Sequence, residues 1–404
     1  MTPAKSSTPI PVASRLKRFS YAIRNIVVEA ERVEARGRRV RYLNIGDPVA
    51  LGFKTPPHLI AAVEQALHSG HNGYGPSAGI AAGREAVAAE YTSRGFPVTP
   101  DRTFLTAGTS EGIEIVLGAL VDQGTDVLVP MPTYPLYTAV LAKFGGRALL
   151  YRTDPDRGWM PDLDHLRDLV TPNTRALVVI DPNNPTGASY STSTRRALLD
   201  LADRHGLAIV ADEVYGDLGY DGPVAPIGSL DPDASIITLS SLSKAYLAPG
   251  WRAGWIGIGR SPRLNAVVKA VGQLVDGRLC STLPMQYAIT AALTGDRTHQ
   301  VRFRAALKER AALTDKRLNA IPGITSVAAT AGFYAMPRVA LPPGRTDEAY
   351  VLALLRQTGV LCVYGSGFGT APEDGYMRIV FLAAPDELRI IYDLMADFTR
   401  EYLR

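Results

Sequence analysis

The chain of 404 residues exceeds the length at which one hydrophobic core usually keeps growing, so two domains are expected. Its composition, 46% hydrophobic and 20% charged, excludes the disordered and fibrous classes, and the net charge of +4 is too small to indicate nucleic acid or a membrane surface as a partner. Cys280 and Cys362 form no metal or disulfide spacing. Two cysteines without such a spacing fit a reducing compartment. No apolar run reaches the length of a membrane span either. We therefore expect a cytoplasmic protein without a metal.

The N-terminal part of the chain predicts helices around one short strand. Charged and apolar residues at helical spacing predict a helix over residues 21–37, and a strand over 40–48 ends in a Gly-Asp-Pro turn. Further helices are expected over 57–70, with proline in the first turn, and from 80 to about 94. An aromatic loop at 72–79 joins these two helices.

From residue 103 onwards, short apolar strands alternate with helices, beginning with a strand, turn and helix over 103–120. Near-continuous Val, Ile and Leu runs are typical of a mostly parallel sheet that helices cover on both faces. These runs occupy residues 126–130, 148–154, 175–181, 207–213, 235–241 and 254–259.

The C-terminal part predicts a mixed unit of helices and strands. Helices are expected over about 302–320 and 386–402, and strands over 332–340, 360–369 and 376–383. We therefore predict an α/β fold in four parts: a mobile tail (1–20), the N-terminal part of a small domain (21–48), a large domain (49–295) and the C-terminal part of the small domain (296–404).

Lys244 lies between two apolar strands, behind Ser241 and Ser243 and eight residues before Arg252. Burial lowers the pKa of a lysine and frees its neutral amine to attack a carbonyl as a Schiff-base nucleophile. Serine hydroxyls and a guanidinium suit a phosphate. The combination indicates pyridoxal phosphate, and an exposed loop lysine is the alternative.

Other polar residues follow apolar strands, and ligands of α/β sheets bind beyond the carboxyl ends of strands. Gly108, Thr109 and Ser110 start a helix after a strand, where backbone N–H groups bind anions. Tyr134 follows a strand and a proline, so its ring could stack on an aromatic cofactor. A helix cap and a packed core tyrosine are the alternatives.

Four more side chains have chemistry that fits one cofactor and one amino acid. Asp212 ends an apolar strand, where a carboxylate needs a partner such as a pyridinium nitrogen. Tyr215 could bond a ring hydroxyl, and Asn184 a phenolate or carboxylate oxygen. Arg378 lies in an apolar strand and needs an anion, for which an α-carboxylate is suitable. An N-cap, a simple turn and an internal salt bridge are the alternatives for Asp212, Asn184 and Arg378.

These motifs make the chain resemble the fold-type-I, pyridoxal-phosphate-dependent aminotransferases of class I and II, from about residue 21 to the C-terminus. The motifs are NIGDP, DPNNPTG, DE-x-Y, S-x-S-K with an arginine eight residues later, and a late strand arginine. Finer strings are most similar to the alanine aminotransferase branch: YAIRNIVVEA, YLNIGDPV, VPMPTYPLYT, RLCSTLPMQYA and VYGSGFG. The resemblance implies a large domain with a mostly parallel, seven-stranded sheet and a smaller α+β domain from both chain ends.

The resemblance also implies a role for each matched residue. Lys244 would form the Schiff base with the cofactor. Four side chains would hold the cofactor ring: Asp212 at its nitrogen, Tyr215 and Asn184 at its oxygen, and Tyr134 against its face. Hydroxyls and one guanidinium would surround the phosphate: Thr109, Ser110, Ser241, Ser243 and Arg252. The substrate carboxylate would be bound by Gly46, Asn184 and Arg378.

The implied reaction has two half-reactions with ping-pong kinetics, in which the freed Lys244 moves the Cα proton. Tyr74 would reach the phosphate of a neighbouring subunit, which implies a homodimer with shared active sites. Glutamate or 2-oxoglutarate needs a second cation for its distal carboxylate. We hypothesise that Arg24 supplies it, with Tyr21 beside it on a segment that closes over the site; an exposed helix-start arginine is the alternative.

The expected activity is transamination between an L-amino acid, with alanine favoured, and a 2-oxo acid of the 2-oxoglutarate/pyruvate pair. Broader, aromatic or aspartate specificity stays open at this point. A pyridoxal-phosphate-dependent lyase on the same scaffold also stays open, because it would share the lysine loop. A non-catalytic sensor is disfavoured, because the residues before 21 are too few for a DNA-binding module.

Overall fold

The computed structural model describes residues 9–15 and 22–404. Twelve α-helices lie in these ranges: α1 (Ala22–Ala35), α2 (Pro57–His68), α3 (Ala81–Ser93), α4 (Thr109–Leu120), α5 (Leu136–Phe144), α6 (Leu163–Asp168), α7 (Thr192–His205), α8 (Asn265–Arg278), α9 (Leu283–Thr294), α10 (Thr298–Asn319), α11 (Asp347–Thr358) and α12 (Pro385–Tyr402). No helix within the described ranges is long and apolar enough to cross a membrane.

The same ranges contain strands of two to eight residues. They are β1 (Arg41–Tyr42), β2 (Thr103–Thr106), β3 (Asp126–Met131), β4 (Arg147–Asp154), β5 (Met160–Pro161), β6 (Thr174–Ile180), β7 (Ala208–Asp212), β8 (Ile236–Ser241), β9 (Gly254–Ile258), β10 (Ile324–Thr325), β11 (Tyr334–Ala335), β12 (Arg338–Val339), β13 (Val360–Leu361), β14 (Val363–Tyr364) and β15 (Met377–Val380).

The central sheet has the strand order β2-β9-β8-β7-β6-β3-β4-β5. The strands from β8 to β4 pair in parallel, whereas β9 runs antiparallel to both of its neighbours. The prediction of a mostly parallel sheet is therefore confirmed. Among the described residues the central sheet has eight strands rather than seven, because a turn at Gly158 folds the two-residue β5 back onto the end of β4.

Alternate residues of the central strands belong to two different hydrophobic clusters, one on each face of the sheet. In β6, Val178 packs with one cluster and Val179 with the other. In β7, Val210 and Ala211 divide in the same way. Burial on both faces explains why these strands are apolar without a break. Asp212, the residue after Ala211, falls on the face that α4 and α5 cover.

The two ends of the chain meet in small sheets beside the large one. β1 pairs in parallel with β13, while β11, β15 and β14 form an antiparallel sheet and β10 pairs with β12. The prediction of a smaller α+β unit from both chain ends is confirmed in this arrangement. The domain boundaries at residues 48 and 295 stay a prediction.

Four predicted strands are clearly shorter than expected, and the one at 376–383 covers only Met377–Val380. The strand at 40–48 covers only Arg41–Tyr42, because the backbone beyond it turns to meet Arg378 and Lys244. The segment 332–340 divides into β11 and β12 around Pro337, which has no N–H to donate. The segment 360–369 divides into β13 and β14 and ends in a helical turn.

Candidate active site

A cavity of about 510 Å³ lies where the central strands end. Asp212 and Ser241 are the last residues of β7 and β8, and Thr109 begins α4 just beyond β2. Twelve of the sixteen predicted site residues line this cavity: Gly46, Thr109, Ser110, Tyr134, Asn184, Asp212, Tyr215, Ser241, Ser243, Lys244, Arg252 and Arg378. The fold thus brings together loops that lie far apart in the sequence, as expected for the carboxyl ends of strands in an α/β sheet.

The other four predicted residues are placed differently. Gly108 precedes α4 with φ of +80°, and a Cβ atom there would lie 2.3 Å from Nη2 of Arg252, so glycine is required. Tyr74 does not line the cavity, and 83% of it is exposed in this single chain. Tyr21 lies outside the described residues. Arg24 belongs to α1, but its side chain lies outside what the structure describes.

Lys244 is half-buried in the cavity wall, in the turn after β8. Its Nζ donates a hydrogen bond to the carbonyl oxygen of Gly46 at 2.7 Å. Burial lowers the pKa of Lys244 to about 8. The nearby charges of Arg378 and Arg252 also lower this pKa, whereas Asp47 opposes them. About a tenth of the amine is therefore neutral and nucleophilic at pH 7, far more than for an ordinary lysine.

Asp212 is a buried carboxylate, with only 3% of the residue exposed. Its Oδ2 accepts a hydrogen bond from Oη of Tyr137 at 3.1 Å, and its Oδ1 accepts one from N of Val214 at 3.4 Å. Both of these donors are neutral, and burial raises the pKa of Asp212 to about 6. A ligand cation at this position would favour the ionised form.

Tyr215 lies beside Asp212 and pairs with a tyrosine from the C-terminal part of the chain. The two hydroxyl oxygens of Tyr215 and Tyr334 are 2.8 Å apart, and the rings meet edge to face. Burial raises the pKa of Tyr215 well above its usual value, so the hydroxyl stays protonated. It can therefore donate a hydrogen bond to an oxygen anion in the cavity.

The first turn of α4 and the loop after β8 form an anion site on one wall of the cavity. Oγ1 of Thr109 is buried and has no hydrogen-bond partner within the described part of the chain. Arg252 donates to Oγ of Ser243 at 3.4 Å and to the carbonyl oxygen of Ala107 at 3.2 Å. A helix N-terminus with hydroxyls and a guanidinium has the donors that a phosphate needs.

Arg378 is a buried guanidinium of β15, 2% exposed, on another side of the cavity. Its Nη1 donates to Oδ1 of Asn184 at 3.2 Å, and its Nη2 donates to the carbonyl oxygen of Asn44. Its guanidinium carbon lies 4.7 Å from the ring centre of Phe368 and 5.0 Å from that of Tyr334. A guanidinium oriented in this way can bind a carboxylate in a defined position.

Several residues of the site were missed by sequence reasoning. Asn44 and Ile45 immediately precede Gly46 in the NIGDP motif, and Tyr137 lies three residues after Tyr134. These could have been found as neighbours of predicted residues. Tyr334 also lines the cavity, but it is separated from Tyr215 by 119 residues and has no local signal.

The charges of the cavity favour anions. Among the described residues that line it, the cations are Lys244, Arg252 and Arg378, and the carboxylate is Asp212. Such a site can hold a phosphate at one end and a carboxylate at the other, with a nucleophilic amine exposed to the same space.

Comparison with known proteins agrees with this geometry. Residues 39–391 match the family of aminotransferases of class I and II. The chain is 37% identical over 401 residues to the glutamate-pyruvate aminotransferase AlaA of Haemophilus influenzae, across 97% of this chain and 98% of that protein. It is also 37% identical to the alanine aminotransferase of Mycobacterium tuberculosis, across 96% and 92%. The solved structure of the alanine aminotransferase from Pyrococcus furiosus matches with a TM-score of 0.94 at 37% identity, covering 97% of this chain and 100% of that one.

Proposed function

Because the chain belongs to the class I and II aminotransferases, we propose that it exchanges amino groups between L-alanine and 2-oxoglutarate, with pyridoxal phosphate as cofactor. It is an enzyme, and its activity is transamination. The observation that carries the proposal is the shared cavity, in which a low-pKa lysine, a buried aspartate and a buried arginine converge. The cytoplasmic location expected from the sequence stays part of the proposal.

The residues of the cavity fit the proposed cofactor. Thr109, whose hydroxyl has no partner in the described ranges, and Arg252 would hold the phosphate, and Asp212 would pair with the ring nitrogen. Tyr215 and Asn184 would bind the ring oxygen. When bound, pyridoxal phosphate supplies an aldehyde for the amino group and a ring that accepts the electron pair of the Cα–H bond.

The proposed roles of the chain's own residues follow from their contacts. Arg378 and Asn184, which are hydrogen-bonded to each other, would bind the substrate α-carboxylate together with Gly46. Lys244, held by the carbonyl oxygen of Gly46, would remove the proton from Cα and return it. Removal of the proton needs the neutral amine, which the low pKa of Lys244 makes available, and the protonated amine that results carries the proton that is returned.

The low pKa of Lys244 predicts how fast the cofactor-free protein captures pyridoxal phosphate. The rate should rise about tenfold per pH unit below about pH 8 and level off above it, because only the neutral amine attacks an aldehyde. The absorbance change after mixing measures this rate, with Lys244→Ala as the control for reaction at surface lysines. An inflection at the usual lysine pKa, near 10.4, would contradict the prediction.

The apolar part of the cavity supports a small substrate side chain. Val27 and Val28 of α1 and the nearby Ile45 line it. The described cations of the cavity already have proposed roles, so the distal carboxylate of 2-oxoglutarate needs another cation. Arg24 precedes Val27 and Val28 by three and four residues in α1, a spacing that places these positions on one helix face. We therefore keep Arg24, with Tyr21, in the proposal.

Arg24→Ala is expected to raise the KM for 2-oxoglutarate and L-glutamate about tenfold or more, the effect of losing one charge-assisted hydrogen bond. The constants for L-alanine and pyruvate should stay within about twofold. Steady-state kinetics in both directions measure this. Arg32→Ala is the matched control, because Arg32 lies exposed in the same helix and pairs with Glu29. Equal losses on both substrate pairs would remove the selective role.

A single half-reaction tests the proposed function directly. The cofactor-loaded enzyme mixed with L-alanine alone should release one pyruvate per active site and no ammonia, and later addition of 2-oxoglutarate should release glutamate. Continuous release of ammonia with pyruvate would instead indicate a lyase and overturn the proposal.

We also propose that the enzyme is a homodimer with shared active sites. Tyr74 is exposed in the single chain, as are Leu274 and Leu279 at 40% and 48%. Large apolar side chains that are exposed in a single chain are suited to a subunit interface. Tyr74 would then reach the phosphate bound by the partner subunit.

A further inference from the structure

The side-chain amide of Asn44 is buried and makes no hydrogen bond to any described residue. Its exposed fraction is 0%, and neither Oδ1 nor Nδ2 has a partner among the described residues. Burying an amide in this way costs free energy, and most buried asparagines are therefore hydrogen-bonded. Asn183 is such a case, because its Oδ1 accepts from N and Oγ1 of Thr186 at 3.2 and 3.0 Å. The buried amide of Asn44 departs from this rule within the described part of the chain, and the departure needs a physical explanation.

The backbone of Asn44 and of Gly46, two residues later, is held by groups of the active site. The carbonyl oxygen of Asn44 accepts from Nη2 of Arg378, and that of Gly46 accepts from Nζ of Lys244 at 2.7 Å. Asn44 itself lines the cavity. Asn44 is thus in direct contact with the proposed carboxylate-binding arginine and lies two residues before the contact of the proposed catalytic lysine.

The chemistry of this position favours a hydrogen-bond donor to a carboxylate. The backbone carbonyl oxygens of Asn44 and Gly46 can only accept hydrogen bonds, so they do not stabilise an anion. The side-chain Nδ2 has two N–H groups and stays neutral at all working pH values. A carboxylate bound at Arg378 has further lone pairs that such a donor satisfies.

We propose that Nδ2 of Asn44 donates a hydrogen bond to the α-carboxylate of the bound amino acid or 2-oxo acid, which makes Asn44 a substrate-binding residue. The proposal rests on the proposed function, which places that carboxylate at Arg378. Every substrate has an α-carboxylate, so Asn44 acts on both substrate pairs. In this respect it differs from Arg24, whose proposed effect is confined to substrates with a distal carboxylate.

The test compares Asn44→Leu and Asn44→Asp with the matched control Asn183→Leu, all in the cofactor-loaded enzyme. Leucine has a similar size and no polar group, so it removes the amide with little change in packing. Three quantities are measured: the KM and kcat for L-alanine and L-glutamate, the rise of the thermal midpoint with added propionate, and the midpoint without ligand. Propionate is an unreactive probe for the carboxylate site, and its binding raises the midpoint.

For Asn44→Leu we expect KM to rise about tenfold or more for both amino acids, with a smaller change in kcat and a weaker response to propionate. Asn44→Asp should lose more, because it places a carboxylate next to a carboxylate. The midpoint without ligand should be unchanged or higher in Asn44→Leu and lower in Asn183→Leu.

Two results would overturn the proposal. One is a KM and a propionate response within about twofold of the wild type; the other is a fall of the midpoint as large as that of Asn183→Leu, which would show that the amide supports the fold. Failure of the proposed function is a separate outcome, since the wild type would then not transaminate L-alanine. The propionate response does not need turnover, so it would still judge Asn44.

Discussion

Replacing Lys244 by alanine is expected to lower kcat for the L-alanine half-reaction by about 10⁴-fold or more. Proton transfer by a positioned side chain contributes up to about 10⁴-fold, and the variant loses the nucleophile that captures the cofactor as well. The cavity should otherwise persist, because Lys244 donates to a backbone carbonyl and supports no buried ion pair within the described residues. Stopped-flow absorbance with cofactor-loaded protein measures the half-reaction.

A surface lysine provides the matched control for this variant. Lys143 is about half exposed and pairs with Glu114 on the outside of the molecule. Lys143→Ala should keep kcat within about twofold, because exposed ion pairs contribute little. If Lys244→Ala retained more than about a hundredth of the wild-type rate, another group would have to move the proton, and the assignment to Lys244 would be wrong.

Asp212→Asn is expected to change activity and stability in opposite directions. In the proposed site, loss of the carboxylate would leave the ring nitrogen of the cofactor without its partner, an effect of about 3–5 kcal/mol, so kcat should fall about 150- to 5,000-fold. The cofactor-free protein should instead become more stable at neutral pH. The reason is that the folded protein must hold the Asp212 carboxylate in a buried place.

The pH dependence gives the sign of this stability change. Burial raises the pKa of Asp212 from 3.8 to about 6, so the folded state binds more protons than the unfolded state between these values. Its contribution to stability therefore falls as pH rises from about 4 to about 6, by about 3 kcal/mol in total. The Asp212→Asn variant has no ionisable group at this position, so its stability should not fall in this way as the pH rises.

Urea unfolding of the cofactor-free proteins across this pH range measures the difference. Asp212→Asn and the wild type should be about equally stable near pH 4, and the variant should be more stable above pH 6. A variant that is less stable than the wild type at neutral pH would show that the carboxylate has a stabilising partner in the folded protein.

Residues at the ends of long apolar strands could be predicted from the sequence. Asp212 and Arg378 each interrupt an apolar run, and this interruption is visible in the local sequence. It indicates a site, because a buried ionisable group needs a compensating partner. The parallel sheet was equally visible, because two-sided burial leaves strands without polar alternation.

What the sequence did not reveal depends on contacts between distant segments. The hydrogen bond between Tyr215 and Tyr334 joins residues that have no shared pattern. The amide of Asn44, which has no partner among the residues that the structure describes, becomes visible only from three-dimensional contacts. The turn at Gly158 that leads into β5 also follows from local backbone geometry, as does the division of the predicted C-terminal strands into β11 and β12 and into β13 and β14. Hydrophobic periodicity does not report such geometry.

The bond from Arg378 to the carbonyl oxygen of Asn44 spans 334 residues of chain. β1 likewise pairs with β13, so the first part of the small unit finds its strand partner only in the last tenth or so of the polypeptide. During synthesis all strands of the central sheet are complete once residue 258 has been added, whereas Arg378, the proposed carboxylate-binding residue, is added only much later. Contacts of such separation are slow to form, so a ribosome-bound intermediate would hold a formed sheet and an open, incompetent substrate pocket.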